Sequence, residues 1–485
     1  MDVVFWNDMP NPPTNLSART MGVYKIAGYI RNHGYTAQVI DFVTAWSQEE
    51  LWKLTTKFVT EKTMVLGIGM THIYHAHHIG GSFVPETLMN VLIMLKEKYP
   101  KLKIILGGHI GNRFKGSPLV ECVVTGFAED TFLELLNHYK NGDPPPQARR
   151  VLLPSGDKMM LNYHAPNNSK YKIEGDNFKF SNQDLIFPNE TLPIEVSRGC
   201  IFKCKFCQFD LLGKAKMDYI RSMECVKEEL IHNYENFGVT SYYVVCDTFN
   251  DTVFKVKAWH DMIQTLPFKI QYTAYIRADL VWSFPETVDL LKNSGLVGAM
   301  HGIETLHPRA SMLVGKGWSS KHARDWLPKL YNELWNKEVT QHLNFIVGLP
   351  YDTKENLLET IKWYKENDLH SIKFTALGFF SSALAWTVTS EFDKNSSKYG
   401  FKVDSNGKWF NNDWTQQEAE DCSKQIDLEL KPLARLHPWT YMHLTSLGYD
   451  KNTMLRARRS ELNWEEIKRR NTAFRNLYYE KLMSI

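Results

Sequence analysis

Residues 194–208 read IEVSRGCIFKCKFCQ. Within them Cys200, Cys204 and Cys207 stand at C-x3-C-x2-C, directly after a short apolar run over 192–196 that predicts a strand. Thiolates are soft ligands suited to zinc or to iron–sulfur clusters, and three on one loop can hold three irons of a [4Fe-4S] cube. The fourth iron is then left without a protein ligand, and an open iron can bind a small molecule where a structural site is normally closed. The alternatives are a zinc knuckle completed from elsewhere, or three unrelated buried thiols. A zinc module usually shows a second paired C-x-x-C or a matched Cys/His pair, and none follows Cys207 closely.

From residue 192 onward short β-branched runs alternate with helical stretches. Strands are expected at 192–196, 241–246, 269–275, 297–303, 341–347 and 371–377, separated by helices such as 217–237 and 354–366. Six such units are too few for a complete eight-fold barrel. Polar residues fall at the carboxyl ends, where a barrel builds its site: Asp247 and Thr248 after the second strand, Arg277 after the third, Glu304 after the fourth, Gly348 after the fifth. An acid at 247 suits an ammonium, Arg277 suits a carboxylate, and Glu304 can accept from hydroxyls; each taken singly also suits a structural ion pair. Tyr272, Tyr275 and Met300 read as core or pocket wall.

The cysteine spacing with aromatic Phe206 before the last cysteine, the string GIET at 302–305 and FIVGLPYDT at 345–353 resemble the radical S-adenosylmethionine (SAM) enzymes. The resemblance implies an open partial (β/α)6 barrel and a [4Fe-4S] cluster on Cys200, Cys204 and Cys207. It also implies that SAM chelates the open iron through its amino and carboxylate groups and is cleaved reductively to a 5′-deoxyadenosyl radical. Phe206, Asp247, Thr248, Arg277, Glu304 and Gly348 become the implied SAM contacts. CDTFND at 246–251 stands where the wider family has a glycine-rich amino-binding motif, so Thr248 or Asn250 could make that contact in place of Asp247.

Upstream, strands expected at 2–6, 36–41, 64–70, 102–106 and 121–124 alternate with helices at 18–32, 48–60, 85–98 and 129–139, which predicts a Rossmann-like (flavodoxin-like) parallel sheet. Ligands of such sheets sit at the carboxyl strand ends. MGVYKIAGYIRNHGYTAQVIDF at 21–42, LGGH at 106–109 and VTGFAED at 124–130 together resemble the cobalamin-binding domain that precedes many radical SAM barrels, implying cobalamin contacts at Thr71, Gly107, Gly108 and Gly126. The D-x-H-x-x-G motif that supplies a lower cobalt ligand in other cobalamin proteins is absent, and the loop reads NDMPNPPTN. His72, His75, His77 and His78 suggest metal ligands by residue type, but no nearby cysteine or carboxylate completes a shell, so a polar loop lining the crevice is the expectation.

The expected organisation is therefore α/β throughout: a Rossmann-like cobalamin-binding-type domain over 1–142, a Pro/Gly/Asn-rich linker over 143–190 with a small hairpin around 151–161, a partial radical SAM barrel over 191–385, and a mostly helical cap over 386–485 with helices at 416–433 and 464–481. Trp409, Trp414, Trp439 and Tyr441 are expected to pack in its core. A net charge of +3, from 57 basic and 54 acidic residues, gives no bulk signal for nucleic acid. Seven cysteines, three of them clustered, do not form a disulfide framework, and Cys122, Cys225, Cys246 and Cys422 are expected as buried thiols. No signal peptide and no run approaching 18 apolar residues is seen, so a cytoplasmic protein is expected.

Function follows the resemblance: a cobalamin-dependent radical SAM methyltransferase acting on an unactivated carbon of a small-molecule or peptide substrate, fed by an external donor such as flavodoxin or ferredoxin. Two alternatives remain. One is a cobalamin-free radical SAM cyclase, rearrangement or dehydrogenation catalyst with a vestigial N-terminal domain; the other is a non-catalytic scaffold with a structural metal site.

Overall fold

The computed structural model describes the chain except residues 10–15, 71–72, 74–84, 109–117, 147–148, 153–157, 165–170, 208–212, 317, 379–389 and 406, with backbone alone at 125, 149–152 and 158–164. The described residues gather into two compact units.

The first unit comprises Met1–Pro193, Glu228–Val239 and Trp464–Ile485. Its sheet contains β1 (Val3–Trp6), β2 (Ala37–Ile40), β3 (Val65–Gly69), β4 (Lys103–Gly107), β5 (Val120–Gly126), β6 (Arg149–Leu152) and β7 (Lys158–His164), in the order β2-β1-β3-β4-β5-β7-β6. All pairings are parallel except β6 with β7. β1 and β2 are buried at every position, as strands covered on both faces must be. Helices Met21–Asn32, Gln48–Phe58, Glu86–Lys98 and Ala128–Asn141 form the crossovers. The second starts at a capping box between Ser47 and Glu50, and the fourth stops at Gly142 in the left-handed region (φ +77°). Order reverses between β1 and β3, the switch point where open sheets of this kind bind ligands.

A buried charge cluster ties distant segments of this unit together. Arg19 donates to Glu190 (2.7 Å) and to Asp41 (2.6 Å), and Asp41 also accepts from Tyr24. The Asp41 amide donates to the Tyr478 hydroxyl at 3.0 Å, anchoring helix Trp464–Ser484 beside Phe42 and Trp46.

Two expected boundaries move. The sheet does not end near residue 142: the hairpin expected around 151–161 is β6 and β7, which pairs in parallel with β5. Residues expected in a linker, Tyr171, Ile173, Phe178 and Phe180, are buried, because apolar side chains so spaced find a helix and sheet to cover. The last helix of the expected cap belongs to the first unit, where Tyr478 and Phe474 find aromatic partners.

The second unit comprises Ile194–Lys227 and Thr240–Asn463. Its sheet contains β9 (Ser241–Val244), β10 (Gln271–Tyr275), β11 (Leu296–Glu304), β12 (Thr340–Val347) and β13 (Ser371–Ala376) in consecutive parallel order, with Ile194, the last residue of β8 (Thr191–Ile194), beside β9. Tyr272 faces Phe249 and Trp259 of helix Val253–Ile263, and Leu343, Phe345 and Val347 join Leu357 and Ile361 of helix Lys354–Glu366 in one core. On the other sheet face, helix Pro438–Ser446 and its preceding His437 lie against the strands: Trp439 meets Tyr243 and Tyr275, and His437 meets His342. Gly298 is required there, since a Cβ would sit 2.6 Å from that of Pro438. Tyr272 and Met300 are core residues, whereas Tyr275 stays 40% exposed. The seven cysteines are free; Cys122, Cys246 and Cys422 are buried and Cys225 half-buried.

Burial holds His301, His370 and His443 neutral, each with its pKa pushed down to about 4. A folded-state pKa below the unfolded one gives stability that is present above the unfolded value and lost on acidification. Unfolding free energy should therefore fall between about pH 6.5 and pH 4, opposed in part by buried Asp8 and Asp352, whose carboxyls are each pushed up to about 6 and lose stability as pH rises. Urea titrations at pH 7.5 and pH 5 test this: the midpoint should be lower at pH 5, and His301→Phe should flatten the difference.

Candidate active site

The three cysteines occupy a loop without regular structure whose backbone is pinned by its own return. The Lys214 amide donates to the Cys200 carbonyl and the Gly213 amide to that of Phe202, both at 3.1 Å. Cys207 donates to the Cys204 carbonyl at 3.1 Å, a tight turn that brings the last two cysteines together. Cys200 is buried, while Cys204 and Cys207 are half-buried.

The end of β9 supports Cys200. Its Sγ lies 3.5 Å from the Thr248 hydroxyl, and burial pushes the thiol up, offset in part by that contact. Thr248 is held in turn: Lys255 donates to its carbonyl at 2.9 Å and to the Ser197 hydroxyl at 3.1 Å, and pairs with fully buried Asp251 at 2.6 Å. Tyr219 donates to the same Asp251 at 2.8 Å. The Asn250 side chain exchanges two hydrogen bonds with the Arg277 backbone, at 2.8 and 3.0 Å, locking the end of β9 to that of β10.

Arg277 supplies the positive charge. Its guanidinium donates toward Cys204 Sγ at 3.6 Å and lies 3.8 Å above the centre of the Phe202 ring. Burial disfavours the cation, but Asp279, with contacts at 2.5 and 3.1 Å, and the neighbouring sulfurs outweigh it and raise its pKa. Glu304, in the left-handed region (φ +69°), pairs with Lys316 at 3.2 Å, and Lys316 also donates to the Gly302 carbonyl at 2.9 Å.

Several residues singled out by sequence thus gather in the second unit: Cys200 touches Thr248, Cys204 touches Arg277, and Phe206 packs on the main core cluster. Arg277 and Glu304 are already paired within the chain. Asp247 is half-buried beside Thr248, which donates to its carbonyl at 2.9 Å. Gly348, with φ +103°, leaves room for the chain's own Trp409, whose ring a Cβ would meet. In the first unit Gly107 ends β4, Gly108 follows it and Gly126 ends β5; Thr71, His72, His75, His77 and His78 lie outside the described residues. Sequence reading missed Lys316, Asp279 and the Lys255–Asp251 pair, since nothing local distinguishes them from surface charges. No three His, Cys, Asp or Glu side chains among the described residues converge as a single-ion cage.

Residues 194–364 match the sequence model of the Radical SAM superfamily. An uncharacterized methyltransferase of Pyrococcus horikoshii is 27% identical over 289 residues, covering 56% of this chain; the chain matches 58% of that relative's length. Among solved structures, the radical SAM methyltransferase TsrM of Kitasatospora setae, with tryptophan substrate and a SAM analogue bound, aligns with TM-score 0.58 at 14% identity over 77% of this chain and 73% of that one. The cobalamin-dependent SAM radical enzyme OxsB, with aqua-cobalamin and SAM bound, aligns with TM-score 0.59 at 14% identity over 100% of this chain and 80% of that one. At these identities the likeness is one of fold: a Rossmann-like sheet, a radical SAM domain and a helical C-terminal region. No described helix is long and apolar enough to cross a membrane.

The Lys255–Asp251 pair is expected to hold the wall behind Cys200. Lys255→Met leaves a buried carboxylate unpaired and should reduce stability by about 3–5 kcal/mol, with much of the loss recovered in Lys255→Met/Asp251→Leu. Denaturant titration of the single and double variants checks this; a single variant melting like wild type would remove the pair from its supporting role.

Proposed function

We propose that this protein is a cobalamin-dependent radical SAM methyltransferase acting on an unactivated carbon. The observation that carries the reading is the cysteine loop set against β9 and β10, with a hydroxyl at Cys200 and a guanidinium at Cys204. That donor set fits an iron–sulfur cluster: soft sulfurs are offered from one loop, with the Arg277 guanidinium directed at one of them. The similar proteins named above, a methyltransferase by name and two fold neighbours that are SAM radical enzymes, one of them cobalamin-dependent, support the same assignment.

When bound, the cluster and SAM would supply a 5′-deoxyadenosyl radical for hydrogen abstraction, and cobalamin would supply the methyl group. Cys200, Cys204 and Cys207 would hold the cluster. Thr248 or Asn250 would meet the amino end of SAM, and Arg277 and Glu304 its carboxylate and ribose; Lys255 holds the Thr248 carbonyl and Asn250 bonds the Arg277 backbone. Both charges come with internal partners, so their side chains are already oriented before ligand arrives, which lowers the entropy of binding.

The glycines at the strand ends of the first unit support reading it as the holder of a large flat ligand. Among the described residues, a Cβ at Gly107 would meet only the Ile68 carbonyl, at 3.9 Å. Gly108 and Gly126, at φ +99° and +79°, adopt conformations that side chains disfavour. The cobalamin-free reading draws on the end of β1, where Asn7 and Asp8 are spent on Asp41 and Thr44.

Cys204→Ala should abolish 5′-deoxyadenosine formation from SAM under anaerobic reducing conditions, measured by chromatography against wild type reconstituted with iron and sulfide. An undiminished yield would defeat the assignment. Reconstitution with hydroxocobalamin followed by gel filtration should leave corrinoid absorption on the protein; cluster absorption without it would favour the cobalamin-free enzyme.

A further inference from the structure

Burial alternates along the central strands of the second unit. On the face turned to helix Lys354–Glu366, Leu343, Phe345 and Val347 are buried, whereas on the opposite face Asn344 and Ile346 of β12 and Lys373 of β13 are only half-buried. That opposite face is the one helix Pro438–Ser446 covers, and among the described residues the cover stops partway. The register sets Tyr275, Met300, His342 and Ser371 in one row across β10 to β13, and Gly302, Asn344 and Lys373 in the next row toward the carboxyl ends. Trp439 and His437 meet the first row only, at Tyr275 (6.3 Å between ring centres) and His342 (4.2 Å). Tyr275 keeps 40% of its surface free, yet burial raises the pKa of its hydroxyl, so the free side of the ring opens on a hollow within the protein and not on bulk water. Two residues on, Arg277 directs its guanidinium at Cys204, so this hollow begins about 7 Å along the strand from the cysteine loop.

The walls of the hollow carry no free charge among the described residues. Burial holds His342, His437 and His443 neutral, and Lys373 is paired with Asp427. The Trp439 ring stands at 77° to that of Tyr275 and at 87° to that of His437, so edges meet faces and no described ring stacks on Tyr275. The Trp439 indole N–H is buried and finds no acceptor. We propose, resting on the radical SAM reading above, that the substrate presents a neutral aromatic ring bearing a hydrogen-bond acceptor, the ring lying on the free face of Tyr275 and the acceptor taking the Trp439 N–H. A second ring on Tyr275 gains an offset-stacked contact that a saturated group does not. A hydrocarbon chain without an acceptor would leave the indole N–H unmet inside the protein, and a charged head would need a counter-ion that these walls do not offer. Tyr275 and Trp439 are then the residues that set specificity.

The test uses the full chain reconstituted anaerobically with iron and sulfide, and small probes: 1-tetralone, an aromatic ring with a carbonyl; 1-decalone, its saturated counterpart; and tetralin, which lacks the carbonyl. In equilibrium dialysis with SAM present, 1-tetralone should bind with a Kd about three- to ten-fold below that of 1-decalone. Tyr275→Leu should erase that preference and Tyr275→Phe, which keeps the ring, should retain it. Trp439→Phe should weaken 1-tetralone binding by about three-fold or more and leave that of tetralin unchanged. Cluster absorption at the wild-type level shows that each variant is folded. Wild type that binds 1-decalone as tightly as 1-tetralone, or a preference that survives Tyr275→Leu, would overturn the aromatic substrate; SAM cleavage by the same preparation with dithionite would leave the enzyme assignment standing. Wild type unable to cleave SAM with dithionite would overturn the radical reading and the substrate with it.

Discussion

A loop that must aim three sulfurs has no helix or sheet to satisfy its backbone, and its polar groups have to be met one by one. The chain meets them from three directions. The return segment supplies Gly213, Lys214 and Tyr219, whose carbonyl accepts from the Arg198 amide at 2.9 Å. The helix after β11 supplies the Val314 carbonyl to the Lys205 amide, and helix Glu391–Lys394 supplies the Phe392 amide to the Lys205 carbonyl. The middle of the loop is therefore gripped on both sides by elements more than a hundred residues downstream, and the cysteine positions depend on the C-terminal half of the second unit being folded.

The same economy governs the charges. Buried ions are tolerated only in pairs, and breaking a pair is worse than replacing both members. Lys255 with Asp251, Arg277 with Asp279 and Lys316 with Glu304 each satisfy this within the unit. Arg277 shows how a paired charge can still serve a site: Asp279 takes one edge of the guanidinium, Phe202 its face, and one nitrogen remains directed at Cys204. The five-donor fork of arginine makes that division possible, where the single ammonium of lysine would have to choose.

The alternation of strand and helix was legible because parallel strands covered on both faces are continuous apolar runs, and the cysteine spacing was legible because ligation demands it. What escaped reading was non-local. β6 and β7 are set among prolines and glycines and locally look like a connector; only the pairing of β7 with β5, with β6 at its outer edge, makes them part of the sheet. Helix Trp464–Ser484 has an amphipathic pattern that announces a buried face without naming its partner, and the Asp41 amide it caps lies at the opposite end of the sequence. Lys316 looks like any surface lysine; it reaches Glu304 because that residue turns through a positive φ, a conformation that a glutamate does not advertise.

Glycines at the carboxyl ends of the two sheets look alike in sequence and serve opposite ends. Gly348 makes room for the chain itself: Trp409 fills the volume, donates from its indole to the Leu377 carbonyl at 2.9 Å, and belongs to the core. Asn411 then donates to the Gly348 carbonyl at 3.0 Å, so backbone and side-chain volume are both spoken for. Among the described residues Gly107 has no such occupant. Glycine loses more conformational entropy on folding than any other residue, by about 0.5–1 kcal/mol relative to alanine, so its use needs a return. At Gly348 the return is internal packing; at Gly107 no described residue supplies one.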